Sequence, residues 1–341
     1  MTNSNEHLLA SARRGDQRAF TELLASYRPA LQAHCYRMLG SLQDAEDAVQ
    51  DTLLNAWRAL PRFEGRSSLK SWLYRIATNA CLKMIERRPR RVLPIDYAPA
   101  ADPHDPLDAP LAESIWLEPY PDTGVELQDQ LASPAARYEQ RESVELAFVA
   151  AIQHIPARQR AVLLLRDVLG FSAREVAETL EMTPAAVDTA LQRAHKTADQ
   201  RLPAQSQQAT LRSLGDERQR ELVDGFVDAW ERADVDSVVA MLAHDATIAM
   251  PPQPTWYRGR DAVEKFLRTV ALAPGTRWRL LPASANGQLA FGEYRWNETA
   301  RAFDGRAVMV LTITDGLIAD ITAFGSPQLL AQFGLPEQLE P

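Results

Sequence analysis

The stretch PIDYAPAADPHDPLDAPLAESIWLEPYPD, from Pro94 to Asp122, holds seven prolines in 29 residues. Each proline removes a backbone donor and favours extended backbone, so neither a helix nor a central strand can run through it. The chain is thereby divided, and its 341 residues leave room for two or three domains of about 100–200 residues each. The divider reads as a linker, with Trp116 and Tyr120 marking where it lies against something.

Before the linker the apolar spacing is helical. AFTELLASYRPALQAHCYRMLG repeats Phe20, Leu23, Leu24, Tyr27, Leu31, Cys35 and Leu39 at three- and four-residue steps and stops at Gly40, a left-handed cap. Ser41 with Asp44 three residues on opens a second helix, SLQDAEDAVQDTLLNAWRAL. A third begins near Ser67, with Trp72, Leu73, Ile76, Ala77, Ala80, Met84 and Ile85 as its apolar stripe. Beyond the linker VELAFVAAIQHIP and ARQRAVLLLRDVLG are helical, and FSAREVAETLEMTPAAVDTALQRAHK spells helix, tight turn, helix. Ser172 and Glu175 form a capping box, and Thr183-Pro184 supplies an N-cap followed by proline at the first helical position. From Glu217 the pattern becomes two helices, the strand ATIAMPP, the helix GRDAVEKFLRTVA and a run of strands with Asp315-Gly316 as a hairpin turn. The expected fold is multidomain: two all-α domains followed by an α+β domain.

Charge is partitioned along the same lines. Arg62 to Arg91 carries nine arginines and lysines against Glu64 and Glu86, in a chain of formal net charge −8. Val92 to Glu145 carries twelve acidic residues against Arg137 and Arg141. Cations interleaved with aromatic rings suit nucleic acid, because phosphates attract arginine and lysine while exposed bases stack on rings. On a helix from Ser68, Trp72, Arg75, Asn79 and Lys83 fall along one edge. In the helix-turn-helix, Ala185, Asp188, Thr189, Gln192, Arg193 and Lys196 lie on the outer face of the second helix, which can enter a major groove. A solvated basic face and a helical hairpin that binds nothing account for the same residues and stay open at this point.

Cys35 and Cys81 sit singly inside helical patterns, so they read as small buried hydrophobes in a reducing compartment, with neither a disulfide nor a metal site expected. No apolar run approaches the roughly 18 residues that cross a bilayer, and the N-terminus lacks a signal-peptide core. A cytoplasmic protein without a membrane partner is expected.

DAEDAVQDTLLNAWRAL followed by FEGRSSLKSWLYRIATNACLKMIERRPRR closely resembles region 2 of sigma-70-type initiation factors of the extracytoplasmic-function group. IPARQRAVLLLRDVLGFSAREVAETLEMTPAAVDTALQRAH is similar to their region 4. The resemblance implies region 2 over 5–91, the acidic proline-rich linker over 92–140 and region 4 over 141–203. It implies core RNA polymerase as partner, through its beta-prime clamp helices and beta flap. The clamp-binding residues would be Asp44, Glu46, Asp47, Gln50, Asp51, Leu54 and Trp57. Asp44, Asp47 and Asp51 share one helix face, which suits docking onto a basic coiled coil.

Promoter DNA is the second implied partner. Its minus-ten element would be melted and held by Arg62, Phe63, Arg66, Ser67, Ser68, Leu69, Lys70, Trp72, Arg75, Asn79 and Lys83. The minus-thirty-five element would meet Arg174, Thr183, Pro184, Ala185, Asp188, Thr189, Gln192, Arg193 and Lys196. Ala185, Ala186 and Asp188 stand where many relatives have serine, lysine or glycine, so the family's base-by-base code does not carry over. The acidic linker would thread toward the polymerase cleft, mimicking nucleic-acid charge.

Residues 216–330, with MPPQPTWYRGRDAVEKFL as the most recognisable stretch, resemble the cone-shaped NTF2-like or SnoaL-like fold. That fold implies an apolar pocket, for which Trp230, Met250, Trp256, Phe266, Trp278, Tyr294 and Trp296 are candidates beside Phe226; the same residues also read as ordinary core. Asp228, His244, Asp245 and Glu293 form no recognisable acid–base dyad, so neither catalytic residues nor a cofactor is expected. The expected function is a sigma factor, and no enzyme, that directs polymerase to promoters and carries a fused regulatory module. An anti-sigma protein and a small-molecule ligand stay open as further partners. A stand-alone helix-turn-helix regulator with a ligand-binding domain is the alternative, and an enzyme with a helical targeting appendage the third reading.

Overall fold

The computed structural model describes residues 2–112, 115–122 and 144–341. Glu113, Glu126, Asp129, Glu139 and Glu142 of the acidic stretch from Val92 to Glu145 lie outside the described residues. Two compact units form, one from Met1–Arg91 with Thr123–Leu202 and the other from Val92–Asp122 with Pro203–Pro341.

The first unit is helical. Its leading half holds α1 (Thr2–Arg13), α2 (Gln17–Ala25), α3 (Arg28–Leu39), α4 (Leu42–Ala59) and α5 (Leu69–Ile85). The single apolar repeat predicted over 19–40 is two helices, because Pro29 has no N–H for the Ala25 carbonyl and α2 ends there. Gly40 closes α3 at φ 72°, and the Ser41 hydroxyl accepts from the Asp44 N–H to start α4. Leu31, Cys35, Tyr36, Ala45, Leu73, Ala77 and Cys81 fill the core of this half, and both cysteines are free thiols. After α6 (Pro94–Tyr97), which belongs to the second unit, the first unit resumes with α7 (Leu146–Gln153), α8 (Ala157–Leu163), α9 (Ala173–Leu180) and α10 (Pro184–Asp199).

The second unit is α+β. It contains α11 (Gln207–Leu214), α12 (Asp216–Glu231), α13 (Val235–Ala240), β1 (Leu242–Ala249), β2 (Trp256–Arg258), α14 (Arg260–Phe266), β3 (Trp278–Ala285), β4 (Gln288–Asn297), β5 (Ala302–Thr314), β6 (Leu317–Phe324), α15 (Pro327–Gln332) and β7 (Gln338–Leu339). The sheet runs β2-β1-β6-β5-β4-β3, with β7 on β5; β1 and β6 are parallel and the other pairs antiparallel. Asp315 and Gly316, at φ 52° and 77°, make the tight β5–β6 turn that the sequence predicts. One sheet face buries Phe291, Met309, Leu311 and Ile321 against Phe226 and Trp230 of α12. The other receives the C-terminal segment, and a Cβ on Gly292 would come within 2.7 Å of Leu335 Cδ1.

Val92–Asp122 lies along this second unit as an irregular strap. Ala101 N–H donates to Trp256 O at 2.9 Å, Trp256 Nε1 to Ala98 O at 2.8 Å, and Leu111 N–H to Pro252 O at 3.0 Å. Farther on, Tyr120 and Asn286 exchange two hydrogen bonds of 2.8 Å. Trp116, Leu117 and Tyr120 are buried. Proline-rich backbone cannot satisfy itself, so here its polar groups pair with loops of the sheet domain.

Two buried titratable groups give the units opposite responses to pH. His34 of α3 meets Thr78 Oγ1 at 2.9 Å, and burial, with the charge of Arg37, pulls its pKa from 6.5 down to about 3. Glu293 of β4 is pushed by burial from 4.5 up to about 7, against the opposing charges of Arg306 and Arg295. The folded state binds fewer protons at His34, so that contribution is present above its unfolded pKa and lost as pH falls. It binds more at Glu293, so that contribution is present below about pH 4.5 and lost as pH rises to about 7. Glu293→Gln is therefore expected to stabilise the protein by about 3 kcal/mol at pH 8, with the gain shrinking toward pH 5. Urea titrations at both pH values check this; the same gain at both would refute it.

Candidate functional site

Helix α4 buries Ala45, Ala48, Val49, Thr52 and Ala56 and turns Glu46, Gln50, Asp51 and Leu54 to solvent, with Asp47 and Trp57 at the margin. Leu54 is 54% exposed, a large apolar side chain beside an acidic stripe. Trp57 rests edge-on against Phe20 with centroids 5.0 Å apart. Asp44 is set apart from Asp47 and Asp51: it is 3% exposed, and its carboxylate takes Arg91 at 2.7 Å and Arg88 as well. The expectation that these three acids share one face thus differs from the geometry. Asp44 fastens the chain leaving α5.

Helix α5 begins with Ser68 as N-cap, its hydroxyl accepting from Ser71 N–H at 3.0 Å. Ahead of it Gly65 turns the loop at φ 72° and Arg66 pairs with Glu64 at 2.5 Å. Arg62, Arg66, Ser67, Ser68, Lys70, Arg75, Asn79 and Lys83 are exposed, and Leu69 and Trp72 are half-buried. Phe63 is buried, with its ring 4.9 Å from that of Trp72. A cationic edge with one ring accessible is thus brought together along α5.

In the helix-turn-helix, Ser172 and Glu175 complete the capping box of α9, Glu181 makes the turn at φ 54°, and Thr183 Oγ1 accepts from Ala186 N–H at 3.2 Å before Pro184. Val176, Ala177 and Leu180 with Val187, Ala190 and Ala194 form the buried side. Thr183, Pro184, Ala185, Asp188, Thr189, Gln192, Arg193 and Lys196 are all exposed on α10. Among the described residues Arg193 and Lys196 have no ion-pair partner, whereas Arg174 pairs with Glu178 at 3.1 Å.

The helix-turn-helix also touches α5, a joint that residue spacing gave no sign of. Ser71 Oγ donates to Glu175 Oε1 at 3.2 Å, and Tyr74 and Phe171 meet edge to face at 5.6 Å. Lys70 Nζ lies 5.4 Å above the Phe171 ring, and Arg75 reaches Glu181 at 3.9 Å. Hydrogen bonds from Ser172 N–H and hydroxyl hold the Glu175 carboxyl below its ordinary pKa, with Ser71 adding to them, so it is ionised at the joint. Two of the expected minus-ten residues, Lys70 and Arg75, therefore face α9.

The seven aromatic and methionine candidates of the second unit do not converge. Trp230, Phe266 and Trp278 enter one core, with partly buried Met250 against it. Trp256 bonds the strap, Tyr294 Oη donates to Pro336 O at 2.8 Å, and Trp296 lies between Phe303 and Arg277. Among the described residues no helix is long and apolar enough to cross a membrane, and no cluster of three or more metal-ligating side chains occurs.

Residues 23–91 match the family model for Sigma-70 region 2, residues 145–197 that for Sigma-70 region 4, and residues 223–321 that for the SnoaL-like domain. The chain is 42% identical over 334 residues to the ECF RNA polymerase sigma factor SigG of Mycobacterium tuberculosis, covering 97% of this chain and 86% of that protein. It is 29% identical over 198 residues to the RNA polymerase sigma-H factor of Pseudomonas aeruginosa, covering 58% of this chain and 93% of that one. Among solved structures, the Mycobacterium tuberculosis extracytoplasmic function sigma factor SigJ shares the fold, with a TM-score of 0.57 at 21% identity over 93% of this chain and 99% of that chain.

Proposed function

This chain belongs to the extracytoplasmic-function RNA polymerase sigma factors with a fused SnoaL-like domain, and from that premise we propose how its surfaces divide the work. Sigma factors bind core RNA polymerase and promoter DNA and catalyse no reaction of their own. In this chain 5–91 is region 2, 92–140 the connection, 141–203 region 4, and 216–330 a regulatory module. The α4 stripe of Glu46, Asp47, Gln50, Asp51, Leu54 and Trp57 docks on the clamp helices, with Asp44 holding its base, while region 4 approaches the beta flap. The α5 edge from Arg62 to Lys83 captures the opened minus-ten strand, with cations on phosphate and the Trp72 ring available for stacking. The exposed face of α10 enters the minus-thirty-five major groove, with Arg174 and Arg193 on the backbone.

The observation that supports this reading is one chain holding an exposed acidic stripe with an exposed leucine on α4 beside two separate exposed faces with cations, on α5 and on α10. A stand-alone regulator needs only the last of these.

The joint between α5 and α9 adds a requirement. The two promoter elements lie about 25 base pairs apart, or roughly 85 Å at 3.4 Å per step. A compact helical unit of this size spans only about 40 Å. Region 2 and region 4 must part before both elements are read. Ser71→Cys with Glu175→Cys, bridged by a short bis-methanethiosulfonate, is expected to lower promoter-specific transcription at least tenfold, and dithiothreitol to restore it. The native thiols are fully buried and do not compete. Equal output from the reduced and cross-linked forms would rule the opening out.

A further inference from the structure

The basic block ends in RRPRR, residues 87–91, and the DNA-binding assignment uses none of these arginines. The structure gathers three of them at one cavity. It measures about 360 Å³, lies wholly within the first unit, and is walled by the end of α5 with Arg88, Arg90 and Arg91 on one side and by 153–157 and Arg160 on the other.

Its described lining carries the guanidinium groups of Arg88, Arg90 and Arg160 beside the Asp44–Arg91 pair. That carboxylate already serves Arg91 at 2.7 Å and Arg88. Arg160 is 4% exposed, and its terminal nitrogens donate to Met38 O, to Gln153 Oε1 at 2.5 Å, to Gln153 O at 2.9 Å and to Ile155 O at 3.2 Å. All four acceptors are uncharged, and Arg160 Nε has no partner. Burial, followed by the charge of Arg90, lowers the Arg160 pKa to about 10, as a cation without a counter-charge requires. Arg90 stands exposed at the rim and has no ion-pair partner among the described residues. Besides Gln153 and His154 the rest of the wall is apolar, including Leu39, Ile85, Ile155 and Pro156.

Surplus guanidinium beside an apolar wall fits a compact organic phosphate, since the planar fork of arginine matches phosphate oxygens and the wall accepts a ring. We propose that this cavity is a binding site for a phosphorylated small molecule of the nucleotide class, held by Arg90 with Arg88 and drawn by the charge of Arg160 behind them, which latches region 2 to region 4. Leu39, Ile85 and the arginines after it come from region 2, whereas Gln153 to Arg160 come from region 4, so an occupant touches both. The latch rests on the reading that the two regions part on polymerase; the site itself does not.

The test uses the full chain without polymerase, with GTP and inorganic pyrophosphate as probes in titration calorimetry. GTP is expected to bind once per chain and more tightly than pyrophosphate, and Arg90→Glu to weaken it at least tenfold with an unchanged circular dichroism spectrum. A dye pair on α2 and α10 is expected to report region 2 held closer to region 4 when GTP is added, in the unaltered chain alone. No binding, or binding equal in Arg90→Glu, overturns the site. GTP binding without any change in dye distance overturns the latch. A variant with Glu126, Asp129, Glu139 and Glu142 as their amides addresses the chain's own acid residues as occupant. If only that variant binds GTP, the occupant is the acidic segment and the proposal falls. Because polymerase is absent, failure here leaves the promoter-reading assignment standing, and failure of transcription leaves the site standing.

Discussion

Reversing Asp47 and Asp51 together to lysine is expected to weaken association with core RNA polymerase at least a hundredfold while leaving the fold and duplex binding by region 4 unchanged. Asp51 is exposed and has no ion pair among the described residues, where Asp47 makes only a 3.5 Å contact with Gln43 Nε2, so neither stabilises α4 through a strong partner there. Against a basic coiled coil each substitution turns attraction into like-charge contact, at a few kcal/mol for the pair. Every 1.4 kcal/mol is tenfold, so about 3–4 kcal/mol gives the stated loss. Competition against the unaltered chain for purified polymerase measures it, and a change below threefold would remove α4 from the docking surface.

Asp44→Asn is expected to destabilise the protein by about 3–5 kcal/mol, a large share of the 5–15 kcal/mol that typical domains possess. The substitution is nearly isosteric, but it takes the carboxylate from Arg91, which is itself buried, and from Arg88. A buried guanidinium that loses a carboxylate partner keeps its desolvation cost. Glu46→Gln, two residues along and exposed, is the control and is expected to change stability by less than about 0.5 kcal/mol. Urea unfolding of both variants checks the contrast. Equal values would mean that the Asp44 network is only a surface feature.

The local signals in the sequence carried a long way. Ser68, Thr183-Pro184, the Ser172–Glu175 box and Asp315-Gly316 each act within four residues, and each sets a helix start or a turn where the sequence places one. The break between α2 and α3 escaped because Tyr27 and Leu31 keep the apolar phase across it; Pro29 was the overriding signal. The family resemblance places Asp44 on the docking face, and helix periodicity groups it with Asp47 and Asp51. Its burial depends on Arg88 and Arg91, more than forty residues later, which no local rule contains.

The same limit applies at longer range. Proline content shows that no helix or central strand runs through Val92–Asp122, where the one-turn α6 forms, yet the partners Pro252, Thr255 and Trp256 lie about 140 residues or more away. The joint of Ser71 and Tyr74 with Glu175 and Phe171 joins faces that period counting treats as separate. For the candidate site, exposure on α4, α5 and α10 was legible because amphipathic helices sort their faces by residue type. The aromatic residues of the sheet domain were not, since alternation places a ring on one face of a strand without saying what covers that face.

The central claim is that this chain turns core polymerase into a promoter-specific enzyme. Run-off transcription with purified core RNA polymerase and a library of genomic promoter fragments tests it most directly. Discrete transcripts that arise only when the chain is added, and vanish with the Asp47 and Asp51 reversals, are predicted. Sequence-specific duplex binding by the chain alone, with no transcript in the presence of polymerase, would contradict it.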